Sequence, residues 1–85
     1  MKQFQFTIRD PLGIHARPAG LLAREAKRFS SLCTITRGEE TKKLTQLMML
    51  MAMNIKQGET VTVRAEGEDE ERAIAALEAF FQANL

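Results

Sequence analysis

The sequence lacks the multiple cysteines that form disulfide frameworks or metal sites, and it lacks the long apolar runs that span membranes. Its 85 residues include one cysteine, Cys33, and no tryptophan or tyrosine. A single cysteine excludes an internal disulfide and is typical of a protein from a reducing compartment. No apolar run approaches the roughly 18 residues that a membrane-spanning helix needs, and no apolar signal core follows Met1. We therefore predict a cytoplasmic protein that does not insert into a membrane.

The chain also lacks a strong excess of either charge. Its formal net charge is +1, although residues 1–58 hold ten Lys or Arg against four Asp or Glu, and residues 59–85 hold two against seven. A nucleic-acid-binding domain usually has a stronger basic excess with aromatic residues among the basic ones. The five phenylalanines here occupy positions that look buried. Nucleic acid is therefore not predicted as a partner.

What remains is the composition of one ordinary globular domain over residues 1–85, with 45% hydrophobic and 27% charged residues. A chain this short buries only about 60% of its unfolded surface. This size excludes a large enclosed active site with its own lid or cofactor domain. Any chemistry is expected at or near the surface.

Hydrophobic periodicity predicts seven elements in the order β-α-β-β-α-β-α. Alternation indicates strands over residues 4–8, 32–37, 41–44 and 60–65, and helical spacing indicates helices over residues 16–29, over 47–53 and from about 67 onward. Four strands without a long crossover favour a largely antiparallel sheet, and amphipathic helices pack on one of its faces. The predicted class is a two-layer α+β domain.

The apolar stripes of the longer helices indicate which side chains face the core. The predicted buried faces are Ala19, Leu22, Ala23, Ala26 and Phe29 in the first helix, and Ala73, Ile74, Leu77, Phe80 and Phe81 in the last. Arg17, Arg24, Lys27 and Arg28 fall on or near the opposite face of the first helix. Asn54 is suited to end the middle helix in the left-handed conformation.

The only histidine, His15, lies between a Pro/Gly turn and the start of the first helix. Neutral imidazole is plentiful at pH 7, so His15 offers a nitrogen nucleophile. The first N–H groups of a helix bind anions, and Arg17 lies two residues on. These features describe a nucleophile that accepts a phosphoryl group and stabilises its charge.

Other interpretations of His15 stay open on these residues alone. A histidine near a helix start is more often a cap, a surface residue or a packed side chain. A metal site is disfavoured, because one histidine supplies one ligand and Cys33 belongs to a different predicted element. A Cys–His nucleophilic pair is also disfavoured, because Cys33 has the pattern of strand core.

The segment Gly13-Ile14-His15-Ala16-Arg17-Pro18-Ala19 resembles the phosphorylation-site motif of the phosphocarrier protein HPr family of the bacterial sugar phosphotransferase system. The resemblance spans essentially the whole chain, including residues 66–70 before the last helix. It implies an open-faced β-sandwich, in which a four-stranded antiparallel sheet is covered on one face by three helices. It also implies that His15 Nδ1 is the phosphoryl acceptor and Arg17 its charge partner, with the backbone N–H groups of Ala16 and Arg17 binding the phosphate.

The resemblance further implies a stoichiometric carrier that is not itself an enzyme. It would be monomeric, need no cofactor or metal, receive the phosphoryl group of phosphoenolpyruvate from enzyme I, and pass it to IIA domains of sugar permeases. The surface that would contact these partners consists of Gly20, Arg24, Lys27, Leu47, Met48 and Met51. Methionine is over-used at adaptable surfaces, yet the whole Met cluster is equally consistent with core. Within it, Leu50 and Met53 are predicted to face inward.

The sequence departs from the family pattern at several places. Gln46 occupies the position of the regulatory serine found in many relatives, and Thr45 is out of register by one residue, so no kinase-dependent switch is expected there. At position 12 many relatives have a Ser, Thr or Asn that helps to bind phosphate, whereas this chain has Leu12. Met49 adds bulk to the contact surface. A non-transferring regulatory or binding module of the same fold therefore remains the alternative hypothesis.

Overall fold

The computed structural model describes all of residues 1–85 and has the predicted order of elements. In chain order these are β1 (Lys2–Thr7), α1 (Ala16–Ala26), β2 (Leu32–Arg37), β3 (Glu40–Lys43), α2 (Leu47–Ala52), β4 (Thr60–Glu66) and α3 (Glu70–Asn84). None of the three helices is both long and apolar enough to cross a membrane.

The four strands form one antiparallel sheet in the order β1-β4-β2-β3. The central strand β4 alternates between buried and partly exposed residues, so only one face of the sheet is covered. On the open face, the hydroxyls of Thr7 and Thr60 are 2.8 Å apart, as are those of Thr36 and Thr41. Such alternation is expected when helices pack on a single side. The predicted sheet with three helices on one face is confirmed.

The core lies between the sheet and the helices, and Phe81 of α3 is its largest fully buried side chain. Phe81 is fully buried, and its ring meets those of Phe4 and Phe6 edge to face at centroid distances of 5.5 and 5.4 Å. Each such aromatic pair contributes about 0.5–1.5 kcal/mol beyond the apolar area it buries. Contact across β1 and α3 therefore ties the two ends of the chain together.

The prediction for the end of the first helix was wrong by three residues. The helix ends at Ala26, and the N–H groups of Arg28 and Phe29 bond three residues back instead of four. The next two N–H groups, of Ser30 and Ser31, donate to the Asp69 carboxylate at 2.9 Å. A carboxylate distant in sequence thus supplies acceptors that further helix would have supplied.

The expectation that all five phenylalanines are buried was also wrong. Only Phe81 is buried, whereas Phe4, Phe6, Phe29 and Phe80 are partly exposed and pack against the rim of the core. The domain is too small to enclose five large rings. The other predicted face residues of α1 and α3, Ile74 aside, are buried.

Candidate functional site

The loop between β1 and α1 brings the only histidine to the start of α1. Asp10 starts a turn in which its Oδ1 accepts the Leu12 N–H at 2.9 Å and its carbonyl accepts the Gly13 N–H at 2.8 Å. Gly13 has φ +67°, a left-handed conformation, and a Cβ there would overlap the Ile55 carbonyl oxygen. Ile14 then donates its N–H to that same oxygen at 3.0 Å. Only glycine allows this close approach.

His15 is the residue immediately before α1, in extended conformation with φ −102° and ψ −179°. Its carbonyl accepts the Ala19 N–H at 2.9 Å, and its side chain makes no capping hydrogen bond. Pro18 has no N–H, so the N–H groups of Ala16 and Arg17 are the ones without a protein acceptor at this helix start. The imidazole and two donors for an anion therefore occupy the same end of the helix.

An open pocket of about 220 Å³ lies beside this helix start. It is lined by Asp10, His15, Arg17, Pro18, Leu21 and Asn84. His15 and Arg17 come together as the sequence predicts, and the His15 side chain is 36% exposed. The sequence did not predict Asp10, Leu21 or Asn84 as part of this pocket. Asn84 ends α3, and no sequence signal relates it to residue 15.

Asp10 is the acidic side chain nearest to the imidazole. Its Oδ2 lies 3.5 Å from His15 Nε2, which is within ion-pair range but longer than a good hydrogen bond. The position of Asp10 in the turn just before the motif was a signal that could have been read, because an Asp in such a turn is locally fixed.

The first helix presents the predicted basic residues to solvent. Arg17, Arg24 and Lys27 are exposed, and Gly20 is partly exposed, with no atom within 4 Å of where a Cβ would lie. The positive end of the helix dipole and the Arg17 guanidinium favour anions at this end of α1. The arrangement is suited to an incoming phosphoryl group.

An apolar surface formed by α2 adjoins the basic helix, because α2 packs against α1. Met48 is 78% exposed, and Leu47, Met49 and Met51 are exposed to a lesser extent. Leu50 and Met53 are buried, as predicted. We call Leu47, Met48 and Met51 the apolar patch. Leu12 and Leu21 are also exposed, and Leu21 lines the pocket, where the sequence did not predict it.

Gln46 precedes α2 and gives it no side-chain cap. Its carbonyl accepts the Leu50 N–H at 3.0 Å, while its side chain is exposed. Thr45 is partly buried one residue earlier and lies outside the helix. Asn54 follows α2 with φ +52°, the predicted left-handed conformation.

Cys33 lies far from His15 in the fold. It pairs with Ala65 in the sheet, whereas the loop that carries His15 leaves the opposite end, where Thr7 pairs with Thr60. Burial, and secondarily the charge of Asp69, raises the pKa of the Cys33 thiol. A Cys–His nucleophilic pair is thus excluded by distance along the sheet and by the stability of the thiol form.

The strongest pKa shift outside the site belongs to Asp69, which precedes α3. The Ser31 hydroxyl and the backbone N–H groups of Ser30 and Ser31 donate to its carboxylate and lower the pKa of Asp69 to about 2. Hydrogen bonds to the ionised form cause such a shift. Because this carboxylate joins the α1–β2 connection to α3, its role is structural.

Known proteins match this chain over nearly its whole length. The family profile described as PTS-HPr, PTS HPr component phosphorylation site, matches residues 2–83. Phosphocarrier protein HPr of Mycoplasma genitalium is 41% identical over 85 residues, covering 99% of this chain and 97% of that protein. The protein of the same name from Mycoplasma capricolum is 46% identical over 77 residues, covering 91% and 86%.

A solved structure of a Mycoplasma histidine-containing phosphocarrier protein superposes with a TM-score of 0.91 at 43% identity. The match covers 93% of this chain and 90% of that one. Sequence and backbone therefore agree over nearly the full length of both molecules.

Proposed function

Because the chain belongs to the HPr phosphocarrier family, we propose that it takes a phosphoryl group from phosphorylated enzyme I onto His15 Nδ1 and passes it to IIA domains of sugar permeases. The observation that carries the proposal is that His15 and Arg17 line one open pocket at a helix start where two backbone N–H groups have no protein acceptor. Phosphoenolpyruvate would be the original donor, and the cytoplasm the place of the exchange.

In the proposed step, the Nδ1 lone pair attacks phosphorus while the bond from phosphorus to the atom of enzyme I that carries it breaks. The electron pair of that bond stays on the enzyme I atom. The N–H groups of Ala16 and Arg17 and the Arg17 guanidinium would bind the phosphoryl oxygens, because they are the donors at this end of α1. In the second transfer, the phosphoryl group passes from His15 to the IIA domain and His15 becomes free again. The protein acts as a carrier and requires no cofactor.

The partners would dock across the apolar patch and the basic side of α1. Leu47, Met48 and Met51 offer apolar contact, and Arg24 and Lys27 would attract acidic partner surfaces. Gly20 of α1 has no side chain, and nothing lies within 4 Å of where its Cβ would be, so a partner could approach the helix backbone closely there. An open site on a small monomer serves several partners, because nothing must unfold or open for access.

The test is phosphorylation with phosphoenolpyruvate and a cognate enzyme I, followed by intact-mass measurement. We expect an acid-labile gain of one phosphate that His15→Ala abolishes. Arg17→Ala should remain folded and accept phosphate more slowly, because Arg17 is exposed and its loss leaves the core intact. A wild-type protein that gains no phosphate would favour the non-transferring module instead, and size-exclusion chromatography would test the monomer.

We also propose that this chain lacks regulation by serine phosphorylation at the start of α2. Gln46 has no hydroxyl, and Thr45 lies one residue before it, outside the helix. Incubation with a kinase that phosphorylates the serine of relatives, together with ATP, should leave the intact mass unchanged. A phosphate gained on Thr45 would contradict this.

A further inference from the structure

The contact between Asp10 and His15 involves one defined nitrogen of the imidazole. Asp10 Oδ2 faces Nε2 at 3.5 Å, and Asp10 is the only acidic residue within ion-pair distance of the imidazole. The two side chains are 24% and 36% exposed, so the contact is partly shielded from water. A charge held beside one ring nitrogen makes the two nitrogens chemically unequal.

The Asp10 carboxylate is held in place by its own turn. Its Oδ1 accepts the Leu12 N–H at 2.9 Å, its backbone N–H donates to the Leu85 oxygen at 2.9 Å, and its carbonyl accepts the Gly13 N–H at 2.8 Å. One carboxylate oxygen is thus used by the loop, and Oδ2 is the oxygen left for the imidazole. The loop that positions the His15 backbone therefore also positions a negative charge beside its ring.

We propose that Asp10 is a positioning residue for phosphoryl transfer, which keeps the imidazole proton on Nε2 and leaves the Nδ1 lone pair for the phosphoryl group. This rests on the proposed carrier function. The same negative charge repels an anionic phosphoryl donor from Nε2. During transfer, Nδ1 gains its bond to phosphorus, Nε2 keeps its proton, and the positive charge that develops on the ring lies beside Oδ2. The contact shortens to a hydrogen bond in that state.

The test is the tautomer of His15 in the unphosphorylated protein, read from ring ¹⁵N chemical shifts at a pH where the imidazole is neutral. The wild type should hold its proton mainly on Nε2. In Asp10→Asn the amide oxygen still accepts the Leu12 N–H, but the NH₂ group now faces Nε2 and donates to it. The ratio of Nε2–H to Nδ1–H should fall by about fivefold or more, and phosphorylation by enzyme I should slow by a similar factor.

Glu68→Gln is the matched control, because it removes one negative charge from an exposed residue after β4, at the end of the sheet opposite to the His15 loop. It should change neither the tautomer ratio nor the rate. Asp10→Glu should show a tautomer ratio and a phosphorylation rate between those of Asp10→Asn and the wild type, since it again places a carboxylate near Nε2.

Three outcomes would overturn the assignment of Asp10. The wild type could hold its proton mainly on Nδ1, which requires no variant to observe. Asp10→Asn could leave the tautomer ratio unchanged, or it could shift the ratio with no effect on the phosphorylation rate. A wild type that has the Nε2–H tautomer but takes no phosphate from enzyme I would instead refute the carrier function, so the two failures are distinguishable.

Discussion

Replacing Gly13 by alanine should damage both the stability of the fold and the placement of His15. Gly13 has φ +67°, and a Cβ at this position would overlap the Ile55 carbonyl oxygen and lie 2.8 Å from the Lys56 Cα. Both neighbours are backbone atoms, so neither moves as freely as a side chain would. The loop must shift away from Ile55, and His15, two residues on, shifts with it.

The magnitude follows from two costs. An alanine in the left-handed conformation costs about 1–2 kcal/mol, of which the reduced freedom of the unfolded chain returns about 0.4–1 kcal/mol. Moving the loop also breaks the 3.0 Å hydrogen bond from Ile14 N–H to the buried Ile55 oxygen, at a cost of about 1–3 kcal/mol. We therefore expect Gly13→Ala to lower the free energy of unfolding by about 1–4.5 kcal/mol. That is a large part of the total expected for 85 residues, about 4–13 kcal/mol.

The assay is urea unfolding, with Gly38→Ala as the matched control. Gly38 lies in the β2–β3 turn with φ +60°, and no atom lies within 4 Å of where its Cβ would be. The control therefore carries the conformational cost without the overlap. With a slope of about 1 kcal/mol per M, the midpoint should fall by about 1–4.5 M for Gly13→Ala and by about 1.5 M or less for Gly38→Ala.

Equal losses of stability in the two variants would refute the reasoning, because they would show that the overlap with Ile55 costs nothing. A Gly13→Ala protein that unfolds early yet is phosphorylated at the wild-type rate below its transition would refute the link between this loop and His15. The Gly38→Ala protein should be phosphorylated normally, since its turn does not contribute to the pocket.

Four further predictions concern stability, docking and reactivity. Asp69→Asn should be less stable than the wild type at pH 7. The Ser31 hydroxyl and backbone donors hold the pKa of Asp69 at about 2, against a usual 3.8. The stability that the ionised carboxylate contributes is therefore complete above pH 3.8 and is lost as the pH falls toward 2. The two unfolding free energies should thus converge between about pH 4 and pH 2, and a constant difference over that range would contradict this. Phe81→Ala should cost about 3–5 kcal/mol in urea unfolding, because the side chain is fully buried against two other rings, and a loss below about 1 kcal/mol would show that the core refills. Met48→Ala should change stability by less than about 0.5 kcal/mol and raise the KM for phosphorylation by enzyme I, since Met48 is 78% exposed; an unchanged KM would remove it from the docking surface. Cys33 is buried, and burial raises the pKa of its thiol, so a thiol reagent should modify Cys33 only as fast as the surrounding fold opens. Rapid labelling of Cys33 in native buffer would contradict this expectation.

The secondary structure could be predicted well wherever a pattern acts over a few neighbouring residues. Alternation in residues 60–65 and helical spacing in residues 73–81 correspond to β4 and α3 as observed. The end of α1 could not be predicted, because it depends on the Asp69 carboxylate, which reaches Ser30 and Ser31 from almost forty residues further along the chain. Helix termination there is a tertiary effect, and no local pattern reports it.

The part of the site that depends on neighbouring residues could also be predicted from the sequence. His15, Arg17 and the helix start lie within a few residues of one another, so their convergence is local. Leu21 and Asn84 join the pocket only through the turn of α1 and the docking of α3. Which methionines of α2 are exposed was open to two interpretations, since helical spacing alone does not say how deeply a six-residue helix sinks into a small core.

The sequence alone determined the elements, their order and the chemistry of one imidazole at a helix start, because periodicity and short-range spacing specify these before any long-range contact forms. The tertiary structure decided what surrounds that imidazole. Asp10 meets Nε2 only because Gly13 lets the loop press against Ile55 and because the Leu85 oxygen accepts the Asp10 N–H. Strand pairing places Cys33, the other candidate nucleophile in the sequence, at the other end of the sheet. Distances between segments far apart in the chain are set by how the whole core packs, and local sequence carries no direct record of them.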